Sequence, residues 1–331
     1  MNRQVYFRVD GNRTIGYGHV VRCLALAEHI SSHYTASFFC RQINPDLADE
    51  VTRQGIEVIH LPSEKHFLDF LKPGDIVVLD GYHFDVNDQK GIKCKGAKLV
   101  YIDDMNQGPF VADAVVNHGT GYKISDFKCE PYTRLYLGLK YALLRKPFLG
   151  KACISSTVSA ANNQPIPFVN FGGSDPENLT ISTVNTLLSL GLKSMNVVVG
   201  GAYYFFDELC SYGKNNPINI YRSLSAEGMA DVMQASTFGI VSASTVLLEL
   251  LALKRRAVTG YYVDNQTASL DSLSTGKFVI NCGDMLKDYP KKLAAIISNE
   301  EALDFLNTPL NISPVGDNVR GLLEIFINLT N

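Results

Sequence analysis

The chain has 331 residues, 46% apolar and 19% charged, with a formal net charge of −3. That length and composition provide for two domains with cores of their own and exclude a chain dominated by disorder. The acidic balance excludes nucleic acid as the main partner, because a surface that tracks phosphates makes a chain basic, and Lys254-Arg255-Arg256 is too short a run to change it.

Val5, Phe7 and Val9 alternate with Tyr6 and Arg8 as in a short strand, which Asp10-Gly11-Asn12 ends. A helix restarts near His19, and Val20, Val21, Leu24, Ala27 and Ile30 recur on it at helical spacing. Its first turn then points at the C-terminal edge of the strand, where open α/β sheets bind ligands. Gly16 and Gly18 let the backbone approach a ligand closely, and the unpaired N–H groups of a helix start favour an anion. His19 stands at that end, and a neutral imidazole there is able to take a proton from water. Arg22, three residues on, shares its face and suits a phosphate or a carboxylate gripped by two parallel bonds. A histidine at a helix start also occurs as a cap or a surface residue. A dinucleotide fingerprint would need glycine where Val21 stands, and no Gly-Lys-Ser/Thr is present, so neither NAD nor ATP is indicated.

The run Thr35 to Cys40 reads as a strand, Pro45 to Gln54 as an amphipathic stretch and Glu57 to Leu61 as a strand. Asp75 to Asp80 and Leu99 to Asp104 are continuous apolar runs, the pattern of parallel strands buried on both faces. Their ends, Asp80-Gly81-Tyr82-His83-Phe84-Asp85 and Asp103-Asp104-Met105, gather at the same edge as Asp10 and His19 to form a carboxylate-rich mouth. His19, Asp10 and Tyr82 are the candidate catalytic residues, with Asp80 beside them as a substrate ligand. Strand-end aspartates serve equally as turn residues and helix caps. In the connector Gly138 to Phe148, Arg145 is either a solvated or interdomain charge or a substrate contact. Ser155 to Gln164 has linker composition, so domains are expected at 1–150 and 165–315, with a linker at 151–164 and a C-terminal segment at 316–331.

The alternation restarts with Phe168 to Phe171, which runs into Gly172-Gly173-Ser174-Asp175-Pro176 and a helix from about Leu179. This is either a second phosphate cradle, with Gly173, Ser174 and Asp175 as ligands, or a capped turn. Asn196 to Gly201 and Ile218 to Tyr221 read as strands and Met229 to Gln234 as a helix. The strand Phe238 to Ser242 ends in Ala243-Ser244-Thr245 before a helix through Glu249 and Leu253, on which Thr245 and Glu249 share a face. Asp264-Asn265-Gln266 is a polar loop, and Val319 to Leu329 reads as a helix. Seven cysteines, at 23, 40, 94, 129, 153, 210 and 282, form no Cys-x-x-Cys pair, so neither disulfides nor a zinc site are expected and a reducing cytoplasm fits best. No signal-peptide run opens the chain, and Ser242, Ser244, Thr245 and Glu249 interrupt its longest apolar stretch, so no membrane insertion is expected.

The pattern Arg8-Val-Asp10, Ile15-Gly16-x-Gly18-His19-Val20-x-Arg22-Cys-Leu24-x-Leu26-Ala27 resembles the start of the PseG family. These are hydrolases of the pseudaminic acid pathway that remove UDP from UDP-2,4-diacetamido-2,4,6-trideoxy-β-L-altropyranose; the spore-coat polysaccharide protein SpsG is similar. Gly138 to Arg145, Gly172 to Pro176 and Asn265-Gln266 also look like family segments. The resemblance implies a GT-B fold like that of MurG: α/β, two Rossmann-like domains with parallel sheets facing a central cleft, and a last helix that crosses back to the first domain. It further implies inverting hydrolysis of a small-molecule nucleotide-sugar, with no metal and no cofactor, UDP being part of the substrate. His19 would activate the water, Arg22 would face the diphosphate, Ser244 and Thr245 would meet the phosphates, Glu249 the ribose, and Asn265 and Gln266 the sugar. The family usually has Gly-Gly where this chain has Ala243-Ser244, a departure that reshapes the diphosphate pocket. Two alternatives stay open: a GT-B glycosyltransferase in which His19 activates an acceptor hydroxyl, and a nucleotide-sugar binding protein without catalysis. A lipid acceptor would call for a basic-rimmed apolar patch, toward which the sequence offers only Lys93, Lys95 and Lys98. Oligomeric state is not legible.

Overall fold

The computed structural model describes residues 3–330 apart from 13, 151–164, 193, 217, 263–266, 268–269 and 316–317. The expected linker and the Asn265-Gln266 pair therefore lie outside the described residues. The chain divides into two compact units, residues 1–146 with 317–331, and residues 147–316.

In the first unit strands and helices alternate: β1 (Arg3–Val9), α1 (Gly18–Ile30), β2 (Tyr34–Cys40), α2 (Pro45–Arg53), β3 (Glu57–His60), α3 (Glu64–Phe70), β4 (Ile76–Asp80), α4 (Val86–Cys94), β5 (Lys98–Ile102), β6 (Ala114–Asn117) and β7 (Arg134–Leu137). The strands form one parallel sheet in the order β3-β2-β1-β4-β5-β6-β7. Alternate residues of each strand enter different cores: Val5, Phe7, Ile76, Val78, Val100 and Ile102 pack on one side, and Val77, Leu79, Leu99 and Tyr101 on the other. Both sides are apolar, which is why these strands read as continuous hydrophobic runs. Arg8 breaks the pattern as a fully buried charge in β1.

Asp85, expected in the polar mouth, instead caps α4. Its carboxylate accepts the amides of Asn87 and Asp88, while Asp88 accepts the Asp85 amide, a reciprocal capping box.

A short α5 (Lys146–Gly150) leads into the second unit: β8 (Pro167–Asn170), α6 (Leu179–Ser189), β9 (Met195–Val199), α7 (Phe206–Asn215), β10 (Ile218–Arg222), α8 (Ala226–Gln234), β11 (Phe238–Ser242), α9 (Thr245–Ala252), β12 (Ala257–Tyr261), α10 (Leu270–Thr275), β13 (Val279–Asp284), α11 (Tyr289–Ile297) and α12 (Glu300–Asn307). Its sheet is again parallel, in the order β10-β9-β8-β11-β12-β13. The last helix, α13 (Asn318–Thr330), belongs to the first unit, where Leu322, Ile325, Phe326 and Leu329 join the core that α1 shares. Among the described residues no helix is long and apolar enough to cross a membrane.

Each sheet winds one way from its first strand and then the other, so the crevice between the carboxyl ends of β1 and β4, and its counterpart at β8 and β11, are the topological switch points.

Candidate active site

After β1 the chain makes a compact turn. The Asn12 side chain accepts the amides of Thr14 and Ile15 at 2.8 Å each, and the Gly16 amide donates to the Asn12 carbonyl at 2.8 Å. Gly16 sits at φ +92°, a conformation that a side chain would strain. Gly18 then opens α1, so His19 stands in its first turn, 4% exposed. Because Val9 and Asp80 are register partners in neighbouring strands, the end of β4 brings a fully buried carboxylate up to that turn. His19 Nδ1 lies 2.7 Å from Asp80 Oδ1. With the carboxylate as acceptor Nδ1 is the donor, and the lone pair of a neutral ring sits on Nε2.

Arg22 is the second group on Asp80. Its Nε reaches Oδ2 and its Nη2 reaches Oδ1, both at 2.6 Å, and Nη1 reaches Asp104 Oδ2 at 2.8 Å. Nη2 also lies 3.1 Å from His19 Nδ1, but both are donors converging on one oxygen, so this contact is not a hydrogen bond between them. Cys23 Sγ approaches Asp80 Oδ2 at 3.5 Å. Burial by itself would raise the Asp80 carboxyl, but Arg22 and His19 overcome it and hold that group well below the usual carboxylate range. Tyr82, 47% exposed, donates to Asp104 Oδ2 at 2.9 Å and sets its ring edge-on to His19, centroids 4.5 Å apart at 80°.

His118 completes the group and was not singled out in the sequence. Burial and the neighbouring Arg22 push its imidazole down to about 4, although Asp104 and Asp80 oppose the shift. Its Nδ1 is buried and has no hydrogen-bond partner among the described residues. The available signal was its position: it follows β6 directly, as Tyr82 nearly follows β4. Asn117 fixes that strand end by donating to Asp103 Oδ2 at 2.7 Å and accepting the Gly119 amide at 2.8 Å.

Asp10 is placed differently from the expectation that groups it with His19. Its Oδ1 accepts the amides of Arg41 and Gln42 at 2.6 and 2.9 Å, and its Oδ2 meets Arg8 at 2.9 Å and His83 at 3.3 Å. Arg8 also pairs with Glu64 and lies over the Phe84 ring. Burial would raise the Asp10 carboxyl, but His83 and Arg8 hold it far below its usual range. Asp10 thus ties β1 to the loop after β2, and the aspartate that orients His19 is Asp80. Arg145 follows the buried segment Tyr141 to Leu144 and is itself half-buried.

In the second unit the carboxylate of Asp175 turns inward. It accepts the α6 amides of Leu179 at 2.9 Å and Thr180 at 2.8 Å, so it occupies two donors that a phosphate would use. Gly173 and Ser174 are exposed. A Cβ on Gly200 would fall 2.3 Å from the Gly173 carbonyl oxygen, so this turn packs backbone on backbone against the end of β9. The start of α9 is different, because its N-cap residue Ser244 makes no side-chain bond to the helix amides. Ser244 and Thr245 are half-buried there, and Glu249 is buried one turn further on. The N–H groups of a helix start suit an anion. Among the described residues no group of three or more His, Cys, Asp or Glu side chains is arranged to hold a metal ion.

No protein-family model matches the chain. Over 80% of its length the chain is 28% identical to the UDP-2,4-diacetamido-2,4,6-trideoxy-beta-L-altropyranose hydrolase of Campylobacter jejuni, covering 94% of that protein. Over 83% it is 24% identical to the spore coat polysaccharide biosynthesis protein SpsG of Bacillus subtilis, covering 82% of it. The chain is a relative of the PseG- and SpsG-type proteins. It is also 27% identical over 97% of its length to an uncharacterized protein of Methanocaldococcus jannaschii, MJ1062, of which it spans only 65%. Among solved structures, MurG of Acinetobacter baumannii superposes with a TM-score of 0.60 over 99% of both chains at 12% identity. MnaA of S. aureus, in its structure with UDP, superposes with a TM-score of 0.63 over 99% of this chain and 98% of that one at 8% identity. At such identities the likeness concerns the fold, which is the GT-B fold of MurG.

Proposed function

We propose that the protein hydrolyses a UDP-linked 2,4-diacetamido-2,4,6-trideoxy sugar at its anomeric carbon. The observation that carries this reading is the 2.7 Å contact between His19 and Asp80 at the switch point of the first unit, in a relative of a hydrolase of that substrate. Asp80 fixes the ring and its tautomer, leaving Nε2 to accept a proton. As water oxygen bonds to the anomeric carbon, Nε2 takes the water proton, the bond from carbon to phosphate oxygen breaks, and UDP leaves with its electron pair. One displacement of this kind inverts the configuration. UDP is a good leaving group as an anion, so the step needs no second acid, and we assign it neither a metal nor a cofactor. Ser244 and Thr245 at the start of α9 are assigned to the phosphates and Glu249 to the ribose.

The test is release of UDP and free sugar from purified UDP-2,4-diacetamido-2,4,6-trideoxy-β-L-altropyranose in chelator, with no acceptor present. Turnover is expected, with the first-formed sugar inverted at C1 by NMR. His19→Ala is expected to abolish it. Asp80→Asn is expected to lower kcat by about 10³- to 10⁴-fold, the scale seen when the carboxylate partner of a catalytic histidine is removed. UDP release only after a hydroxyl acceptor is added would replace this reading with a glycosyltransferase, whose fold the chain shares.

A further inference from the structure

We propose that Arg22 and Asp104 are positioning residues that lock exposed Tyr82 to the buried His19–Asp80 pair, and that Arg22 is not a ligand of the substrate's phosphates. The inference rests on reading His19 as the base.

An arginine one turn after a histidine at a helix start is the usual expectation for a phosphate clamp, but here the guanidinium is already engaged. Three of its N–H groups are spent on two carboxylates, at 2.6, 2.6 and 2.8 Å, and the side chain is almost wholly buried. The two parallel bonds to Asp80 fix the plane of that carboxylate, and with it the direction in which Oδ1 meets His19 Nδ1. Asp104 Oδ2 accepts from Arg22 Nη1 and from the Tyr82 hydroxyl at once. Tyr82 in turn stands edge-on to the His19 ring. The five side chains therefore close a circuit: His19, Asp80, Arg22, Asp104, Tyr82 and back to His19. A circuit with no loose end holds the base and the exposed ring at one spacing. Only Tyr82 in it is widely open to solvent, so it is the member through which a bound ligand would be sensed. Lysine cannot replace this arginine, because one ammonium cannot supply a planar fork to one carboxylate and a third bond to another.

Three measurements on folded Arg22→Lys and Asp104→Asn decide the matter. The first is the tautomer of the His19 ring from its 15N signals, which is independent of turnover. The wild type is expected to hold Nδ1–H, and Arg22→Lys to mix the two tautomers. The second is kcat, expected to fall about 100-fold in Arg22→Lys, the cost of a misplacement near 1 Å, and about tenfold in Asp104→Asn. The third is UDP affinity by calorimetry, expected to stay within twofold in both. In a double-mutant cycle, Tyr82→Phe added to Asp104→Asn should cost less than the sum of the two changes, because each cuts the same link.

Unchanged tautomer signals together with a tenfold or greater loss of UDP affinity in Arg22→Lys would overturn the proposal and make Arg22 a phosphate ligand. Should Arg22→Lys not fold, Asp104→Asn decides by the same readouts. A wild type that neither binds UDP nor releases it from the UDP-sugar would sink the hydrolase reading alone, and the tautomer would still answer for the positioning.

Discussion

His118 is the residue whose buried state has the clearest consequence for pH. In an unfolded chain its imidazole binds a proton as pH falls through about 6.5, whereas burial and Arg22 delay that in the native protein to about 4. Between those values the unfolded state holds the extra proton, so native stability falls as pH falls and is fully present only above the upper value. Asp80 and Asp10, both held low in the native state, add a second loss at more acid pH, which begins as pH falls through the range in which a free carboxyl titrates and continues below it. Urea midpoints measured from pH 7 to 4 should therefore decline in the wild type and decline less steeply in His118→Gln. Equal slopes would show that His118 is not held neutral. Reading the sequence residue by residue picked out His19, Asp80 and Tyr82 from their places at strand and helix ends. It missed His118, whose only mark was its place directly after a short strand.

The turn from Gly172 to Asn178 shows how one local pattern supports two outcomes at the level of an element. Glycines and a Ser-Asp pair before a helix suit a phosphate and also suit a cap, and here Asp175 closes the α6 start with its own carboxylate. It does so from a left-handed backbone at φ +40°, with Asn178 at φ +51°. Asp175→Ala should lower stability by about 1 kcal/mol, the usual worth of such a cap, and Asp175→Asn by less. Thermal unfolding checks both, since a loss of that size lowers Tm by about 2–4 °C for a unit of this length. A rise in Tm on Asp175→Ala would mean that the buried carboxylate costs more than its two bonds return. At the start of α9, by contrast, the N-cap Ser244 makes no side-chain bond to the helix amides, and the Leu247 amide donates to the Ser244 carbonyl at 3.0 Å. The two starts differ in that Asp175 turns its carboxylate back onto α6, whereas Ser244 makes no such bond to α9.

For the molecule as a whole, the chain's last helix returns to the unit in which the chain begins. Phe326, fully buried, packs on Tyr34 at 5.4 Å between ring centroids and in the core that holds β1 and α1. That cover explains why α1 buries ten of its thirteen residues, far more than one apolar face would. Phe326→Ala should cost about 3–5 kcal/mol, as for other buried aromatics. Hydrogen exchange should then quicken across β1, α1 and β4 while β8, β9, β11 and β12 keep their protection. Faster exchange confined to α13 itself would show the helix to be dispensable to that core.

The sequence by itself determined the two series of alternating strands and helices, the parallel character of both sheets and the edge at which polar residues gather. Apolar period, turn residues and helix starts are properties of a few consecutive residues, and they act wherever the segment ends up. Only the tertiary structure decided that Asp80, 61 residues from His19, and not nearby Asp10, meets the imidazole. Asp10 is nearer in the chain, but its strand end faces the loop after β2. Asp80 ends β4, which the crossover order sets beside β1 and under the first turn of α1. The same order spends Arg22 on carboxylates, because the ends of β4 and β5 converge where a local reading sees one helix face.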